Sequence, residues 1–211
     1  INSLAELPPN PCQLLELVSL KSIDQESKYK PGLVMVGSHV ELATEQLNIL
    51  LCEDKCEGLE IQVKELAQVL QEDPHSNLIS DLESFLLAKI TNILIRNMTP
   101  VLYTTRDELL FPSDNERMKF GIQLAEFMAH LVGKLSHKLG YIISKGGITT
   151  HLLLKVGLNM NQVSLQGQIL PGLSMVRGCK EYNNLPVITF PGNLGDTKTL
   201  LESWKIMESS K

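Results

Sequence analysis

The segment Lys145-Gly146-Gly147-Ile148-Thr149-Thr150 brings together residue types that could do chemistry. An apolar run at 141–144 leads into it, and residues 151–156 have helical character, so the two glycines stand at a strand-to-helix turn. Paired glycines admit positive φ and let a bulky anion approach the backbone. The first amides of a helix have no partner within it and lie at the positive end of its dipole. Thr149 and Thr150 add hydroxyls, and Lys145 adds a charge. Together these would suit phosphate oxygens. The spacing alone fits a plain tight turn as well. It is neither the G-x4-G-K-[ST] P-loop nor the G-x-G-x-x-G dinucleotide fingerprint.

Two other glycine turns share this setting. Gly37-Ser38 ends the apolar run 33–36; the plainer reading is a turn in which Ser38 caps the next helix. Phe190-Pro191-Gly192-Asn193-Leu194-Gly195-Asp196 allows an unusual backbone path, with Asp196 as a cap for the last helix. Three such loops at strand ends of one sheet would converge on one crevice, where open α/β sheets bind ligands.

The elements that must position these loops can be read from periodicity. Strands are expected at 33–36, 59–63, 101–105, 141–144, 163–169, 173–176 and 185–190. Helices are expected at 41–51, with Leu42, Leu47, Leu50 and Leu51 on one face, and at 76–97, capped by Asp73 or Ser76 and stopped by Pro100. Further helices run from Asp114 to about residue 139, with Phe120, Leu124, Phe127, Leu131 and Leu135 aligned, and from 196 to 207. This alternation predicts an α/β fold: a three-layer Rossmann-like domain with a mixed, mostly parallel sheet. Residues 1–31 read as an irregular linker and 32–211 as one domain.

Composition narrows the function. A net charge of −5 argues against a dedicated nucleic-acid partner. No apolar run reaches the roughly 18 residues that a membrane helix needs, and Glu6, Pro8, Pro9 and Pro11 break up any leader-like segment. Cys52 and Cys56 form a C-x3-C pair, yet with Cys12 and Cys179 they complete no zinc pattern, so the four read as reduced thiols of a cytoplasmic protein. His130 and His137 lie seven apart, a helix-face spacing rather than a ligand pair. His39 and His151 stand beside glycine turns, where either could meet a phosphate or simply cap a helix. No G-x-S-x-G elbow supports hydrolase chemistry. An isomerase-like reading lacks an acid/base pair near the glycines. A homo-oligomer is compatible with the composition.

Four segments in order give the chain a family resemblance. They are Val34-Met35-Val36-Gly37-Ser38-His39 with Thr44-Glu45-Gln46-Leu47; Ile143-Ser144-Lys145-Gly146-Gly147-Ile148-Thr149; Gly167-Gln168-Ile169-Leu170-Pro171-Gly172; and Phe190-Pro191-Gly192-Asn193-Leu194-Gly195-Asp196. The chain resembles the C-terminal nucleotide-binding domain of the four-carbon acid sugar kinase family. Thr150, where a serine is common, and Leu173-Ser174-Met175 depart from the family pattern. The resemblance implies ATP and Mg²⁺ as cofactors, with Ser38, Gly146, Gly147, Ile148, Thr149 and Gly192 at the nucleotide and Gln168 facing the same cleft. It also implies that a threonate- or erythronate-like acid and the catalytic aspartate belong to an N-terminal domain. Beginning at Ile1 and without an aspartate-rich opening motif, this chain is expected to be the nucleotide-binding half. The alternative is a regulatory module that binds a nucleotide or sugar phosphate and catalyses nothing. Asp107 and Asp196 are the carboxylates closest to strand ends, and Asp196 suits a helix cap better than a metal ligand.

Overall fold

The computed structural model describes residues 30–71, 77–106, 109–178 and 184–209. Seven strands form one sheet: β1 Leu33–Val36, β2 Cys56–Ile61, β3 Thr99–Thr104, β4 Ile142–Lys145, β5 Val163–Leu170, β6 Leu173–Gly178 and β7 Val187–Phe190. Their order is β2-β3-β1-β4-β7-β6-β5. The pairs among β2, β3, β1, β4 and β7 are parallel, while β6 runs antiparallel to both β7 and β5. Among the described residues six α-helices accompany the sheet: α1 Glu41–Leu50, α2 Val63–Gln71, α3 Leu78–Ile95, α4 Asp114–Leu135, α5 Gly147–Leu152 and α6 Thr199–Ser209. No helix among the described residues is long and apolar enough to cross a membrane.

β1 explains the layering. Its four residues are all buried, as a central parallel strand covered on both faces requires. Leu33 and Met35 join Leu86, Ile90, Met128 and Leu131 of α3 and α4 in one core. Val34 and Val36 join Leu47 and Leu50 of α1 and Leu200 and Trp204 of α6 in the other. The expected three-layer domain with a mixed, mostly parallel sheet is therefore what forms.

Several boundaries differ from the sequence expectation for local reasons. Val63 opens α2 instead of ending β2: its N–H donates to Thr105 Oγ1 at 3.1 Å, and Leu66 N–H already turns back to Gln62 O at 3.0 Å. α3 ends before Pro100, at a left-handed Asn97 (φ 56°), and Pro100 instead lies within β3. It stands one residue before Val101, the first β3 partner of β1, so its missing N–H leaves the recorded β1 pairing intact. α4 does open at Asp114 as expected, with Ser113 as its cap, accepting from Glu116 N–H at 3.3 Å. Ser38 is not a cap at all: α1 begins from Val40, whose side chain caps nothing. The expected caps Asp73 and Ser76, together with Cys12, Cys179 and Asp107, lie outside the described residues.

Candidate functional site

Sheet register sets four loops level with one another. Tyr103, Val36, Lys145 and Phe190 stand side by side at the carboxyl ends of β3, β1, β4 and β7. The row is continued by Gly37 N–H donating to Lys145 O at 3.0 Å and Gly146 N–H donating to Phe190 O at 2.9 Å. From this row β1 sends the chain into α1, against one core, while β4 sends it through α5 into a π-helical turn, Leu153–Gly157, against the other. Adjacent parallel strands with connections to opposite faces leave a crevice between them, the ligand position of open α/β sheets.

The three glycine turns meet in that crevice. A methyl group placed on Gly37 would strike Thr149 Oγ1, and one on Gly192 would strike Ser38 Oγ. One on Gly146 would come within 3.3 Å of Ser38 N and 3.0 Å of Thr149 Oγ1. Ser38 therefore lies between the Gly146 and Gly192 turns. Gly146 has φ 127°, a conformation that side chains rarely adopt. Gly147 is different: it opens α5, and a methyl group there would meet nothing within 4 Å. Its open side is where a bound anion would have room.

The amides complete the cradle. Thr150 N–H is bonded to Gly146 O at 2.9 Å, so the amides of Gly147, Ile148 and Thr149 are the first-turn donors without a helical acceptor. Thr149 is buried, and no hydrogen bond to its hydroxyl is recorded among the described residues. Thr150 is spent on structure, its hydroxyl donating to Ser144 Oγ at 2.9 Å and Ser144 O at 3.0 Å.

Comparisons with known proteins give the chain a family and its fold several relatives. Residues 33–200 match the family model of the nucleotide-binding C-terminal domain (NBD_C), a domain found in four-carbon acid sugar kinases. The chain belongs to this family. Among curated proteins none matches the chain. Its fold is shared with a DUF1537 protein from Bordetella bronchiseptica, a domain-swapped dimer with bound citrate. That structure gives a TM-score of 0.67 at 16% identity, over 92% of this chain and 43% of that one. A second crystal form of the same protein gives 0.62 over 92% and 41%. A candidate tRNA synthase from Salmonella typhimurium LT2 gives 0.55 at 15% identity, over 83% and 40%. The chain thus spans about two fifths of the structures it resembles.

Within this nucleotide-binding domain, Ser38, Gly146, Gly147, Ile148, Thr149 and Gly192 lie on the turns that meet at the crevice, and Ile148 turns its side chain outward and exposed. Gln168 instead closes its own hairpin, its Oε1 accepting from Gly172 N–H at 3.3 Å. Asp196 is the expected cap: its carboxylate accepts from Lys198 N–H at 2.9 Å and the Thr199 hydroxyl at 3.0 Å. Those hydrogen bonds, Lys198 first, hold its pKa below the usual value. His130, His137 and His151 are exposed. Cys52 and Cys56 are free thiols. A cavity of about 340 Å³ between α2 and α4, lined by Ala67, Leu70, Phe111, Pro112 and Phe120, lies away from the glycine loops.

Three residues gain roles that the sequence reading did not give them. Gln46, fully buried in α1, donates to Leu194 O at 3.1 Å and to Asp196 O. Lys145 is the last residue of β4 rather than part of the loop, and it too is fully buried. Its Nζ donates to Pro191 O at 3.2 Å and lies 3.7 Å from the centre of the Phe190 ring, with no carboxylate partner among the described residues. Burial alone pushes its pKa down to about 8. Arg106, just past β3, donates through Nη1 to Ser38 O at 2.5 Å. Gln46 had a sequence signal: it occupies a place in the buried stripe Ala43, Gln46, Leu47, Leu50, where an apolar residue is normal.

Proposed function

We propose that this domain binds ATP as part of a kinase that phosphorylates four-carbon sugar acids. The convergence of the Gly37-Ser38, Gly146-Gly147 and Gly192 turns around an open space at Gly147 carries the proposal. The amides of Gly147, Ile148 and Thr149 and the Thr149 hydroxyl are placed to hold the β- and γ-phosphates. Ser38 and Gly192 flank them, and Lys145 and Gln46 fix the backbone of the Gly192 turn. ATP supplies the transferable phosphoryl group when bound. Such transfer depends mainly on positioning and on stabilising negative charge, so a rigid amide cradle is a large part of what the protein must provide.

The described residues hold no group of three or more His, Cys, Asp or Glu side chains suited to a metal, and the Asp196 carboxylate is occupied by its cap. Mg²⁺ in this reading would be held mainly by the nucleotide phosphates, with few protein ligands, as is usual for that ion. The sugar acid and the catalytic base come from an N-terminal domain of the family type. The cytoplasm, which holds ATP and keeps thiols reduced, is the compartment that fits.

The test uses the complete protein, with ATP, Mg²⁺ and a panel of threonate, erythronate and their oxo relatives. The expected result is ADP release that requires one of the acids and falls at least a hundredfold in Gly147→Val. ATP binding with no acid-dependent ADP release would overturn the kinase reading and leave a nucleotide-sensing module.

A further inference from the structure

Arg106 presents an unfilled hydrogen-bonding edge beside the nucleotide crevice. Its Nη1 is taken by Ser38 O, while Nε and Nη2 are withdrawn from solvent and have no acceptor among the described residues. These two atoms are the pair that forms the side-on fork of a guanidinium, the edge that matches the two oxygens of a carboxylate or phosphoryl group. No ion pair of Arg106 occurs among the described residues. Glu60, whose charge acts on Arg106, spends its Oε2 on Gln62 Nε2 at 2.8 Å. Buried charged donors left without acceptors are costly and call for an explanation.

Further basic side chains stand close by. His39 follows Ser38 and sits against Thr104, with Nε2 to Oγ1 at 2.8 Å. The charges of Arg106 and Arg117 both act on His39. Ser38 joins this cluster to the glycine cradle, since its carbonyl holds Arg106 while its amide and hydroxyl face Gly146 and Gly192. Arg106 keeps part of its surface exposed, so its free edge can be reached by adjustment of its own side chain.

We propose that Arg106 is the receptor of a second anion subsite, taking a two-oxygen group of bound ligand on its Nε and Nη2 edge. This rests on the nucleotide reading only in its setting. The anion is either the terminal phosphoryl group of the nucleotide or the carboxylate of a separate acid, and the two sources share the same chemistry at the fork.

The test follows the Arg106 Nε–H resonance by NMR in the unaltered chain, assigned by its loss in Arg106→Lys. ATP, AMP and threonate are titrated separately, and affinities are compared between the two proteins. The expected result is that one anion shifts this resonance and protects it from exchange, and binds at least tenfold more weakly to Arg106→Lys, which keeps the charge and loses the fork. A shift with ATP and none with AMP assigns the subsite to the terminal phosphoryl group; a shift with threonate assigns it to a carboxylate. Either supports the proposal, and a threonate shift without ATP binding would sink the nucleotide reading alone. ATP binding with an unmoved Arg106 signal and unchanged affinity in the variant overturns the subsite alone. An unmoved signal with no binding of any probe overturns both. The resonance of the unaltered chain decides the matter even where the variant folds poorly.

Discussion

The side-chain amide of Gln46 donates to the backbone carbonyl of Leu194, 148 residues further along the chain. This bond, with its companion to Asp196 O, ties α1 to the loop that follows β7. The Gly192 turn is thereby held against Ser38, and two of the three glycine loops become one rigid unit.

Replacing Gln46 with Leu should therefore act at two levels. It strands two loop carbonyls, at a cost of about 1–3 kcal/mol for a buried group left unpaired. For a chain of this size each kcal/mol lowers the melting temperature by about 2–4 °C. Nucleotide affinity should fall as well, although Gln46 touches no nucleotide in this account. Thermal melting and titration with ATP check both; unchanged melting and affinity would show that the tie is dispensable.

Gly146 and Gly147 should respond in opposite ways to alanine. Gly146 has φ 127° and close neighbours, so Gly146→Ala should destabilise by about 1–3 kcal/mol. Gly147 is helical and faces open space, so Gly147→Ala should leave stability unchanged or raise it by up to about 1 kcal/mol. Denaturant unfolding of the two variants measures the contrast. Equal losses would contradict the positive φ of Gly146.

Lys145 should give stability a signature in alkaline solution. Its folded pKa of about 8 lies below the ordinary 10.5. The folded protein thus sheds this proton before the unfolded chain does, and the cost of burying the charge disappears as pH rises from about 8 to 10.5. The shift corresponds to about 3 kcal/mol. Cys56 works in the opposite direction above its ordinary value of 9.0, since burial raises its pKa to about 12. The reading must therefore be the difference between the unaltered chain and Lys145→Met, which should lack the rise. Identical pH profiles would contradict a buried ammonium at Lys145. A phosphate held nearby would raise the Lys145 pKa, so ATP binding at pH 8.5 should take up protons, seen as a binding enthalpy that varies with the buffer.

His39 should weaken the fold in acid. Desolvation first, then the charges of Arg106 and Arg117, hold its pKa below 6.5. The unfolded chain takes the proton more readily, so stability present above pH 6.5 is lost as pH falls below it. Arg117→Ala should raise the His39 pKa in an NMR titration without carrying it fully to 6.5. No movement would show that Arg117 does not reach the ring.

Sequence periodicity revealed the layers and the three glycine turns because both arise from local pattern. Leu33–Val36 is apolar throughout, as a strand buried on both faces must be. The turns show as glycines at strand ends. Contacts made across the sheet left weaker traces. Val63 was legible as apolar, but only the Thr105 hydroxyl and the following turn decide that it starts a helix. Lys145 looked like a loop cation because nothing local says that β4 extends to it and that β7 places Phe190 alongside. Arg106 is a lone cation after a strand, and its meaning depends on Ser38, which is 68 residues away.

The central claim is that nucleotide phosphates sit in the open space at Gly147. Its most direct test is calorimetric titration of the chain with ATP and Mg²⁺, repeated on Gly147→Val after unfolding curves show both to be equally folded. The account predicts saturable binding to the unaltered chain that the valine abolishes or weakens at least a hundredfold. Equal affinity in the two proteins would place the nucleotide elsewhere and contradict the account.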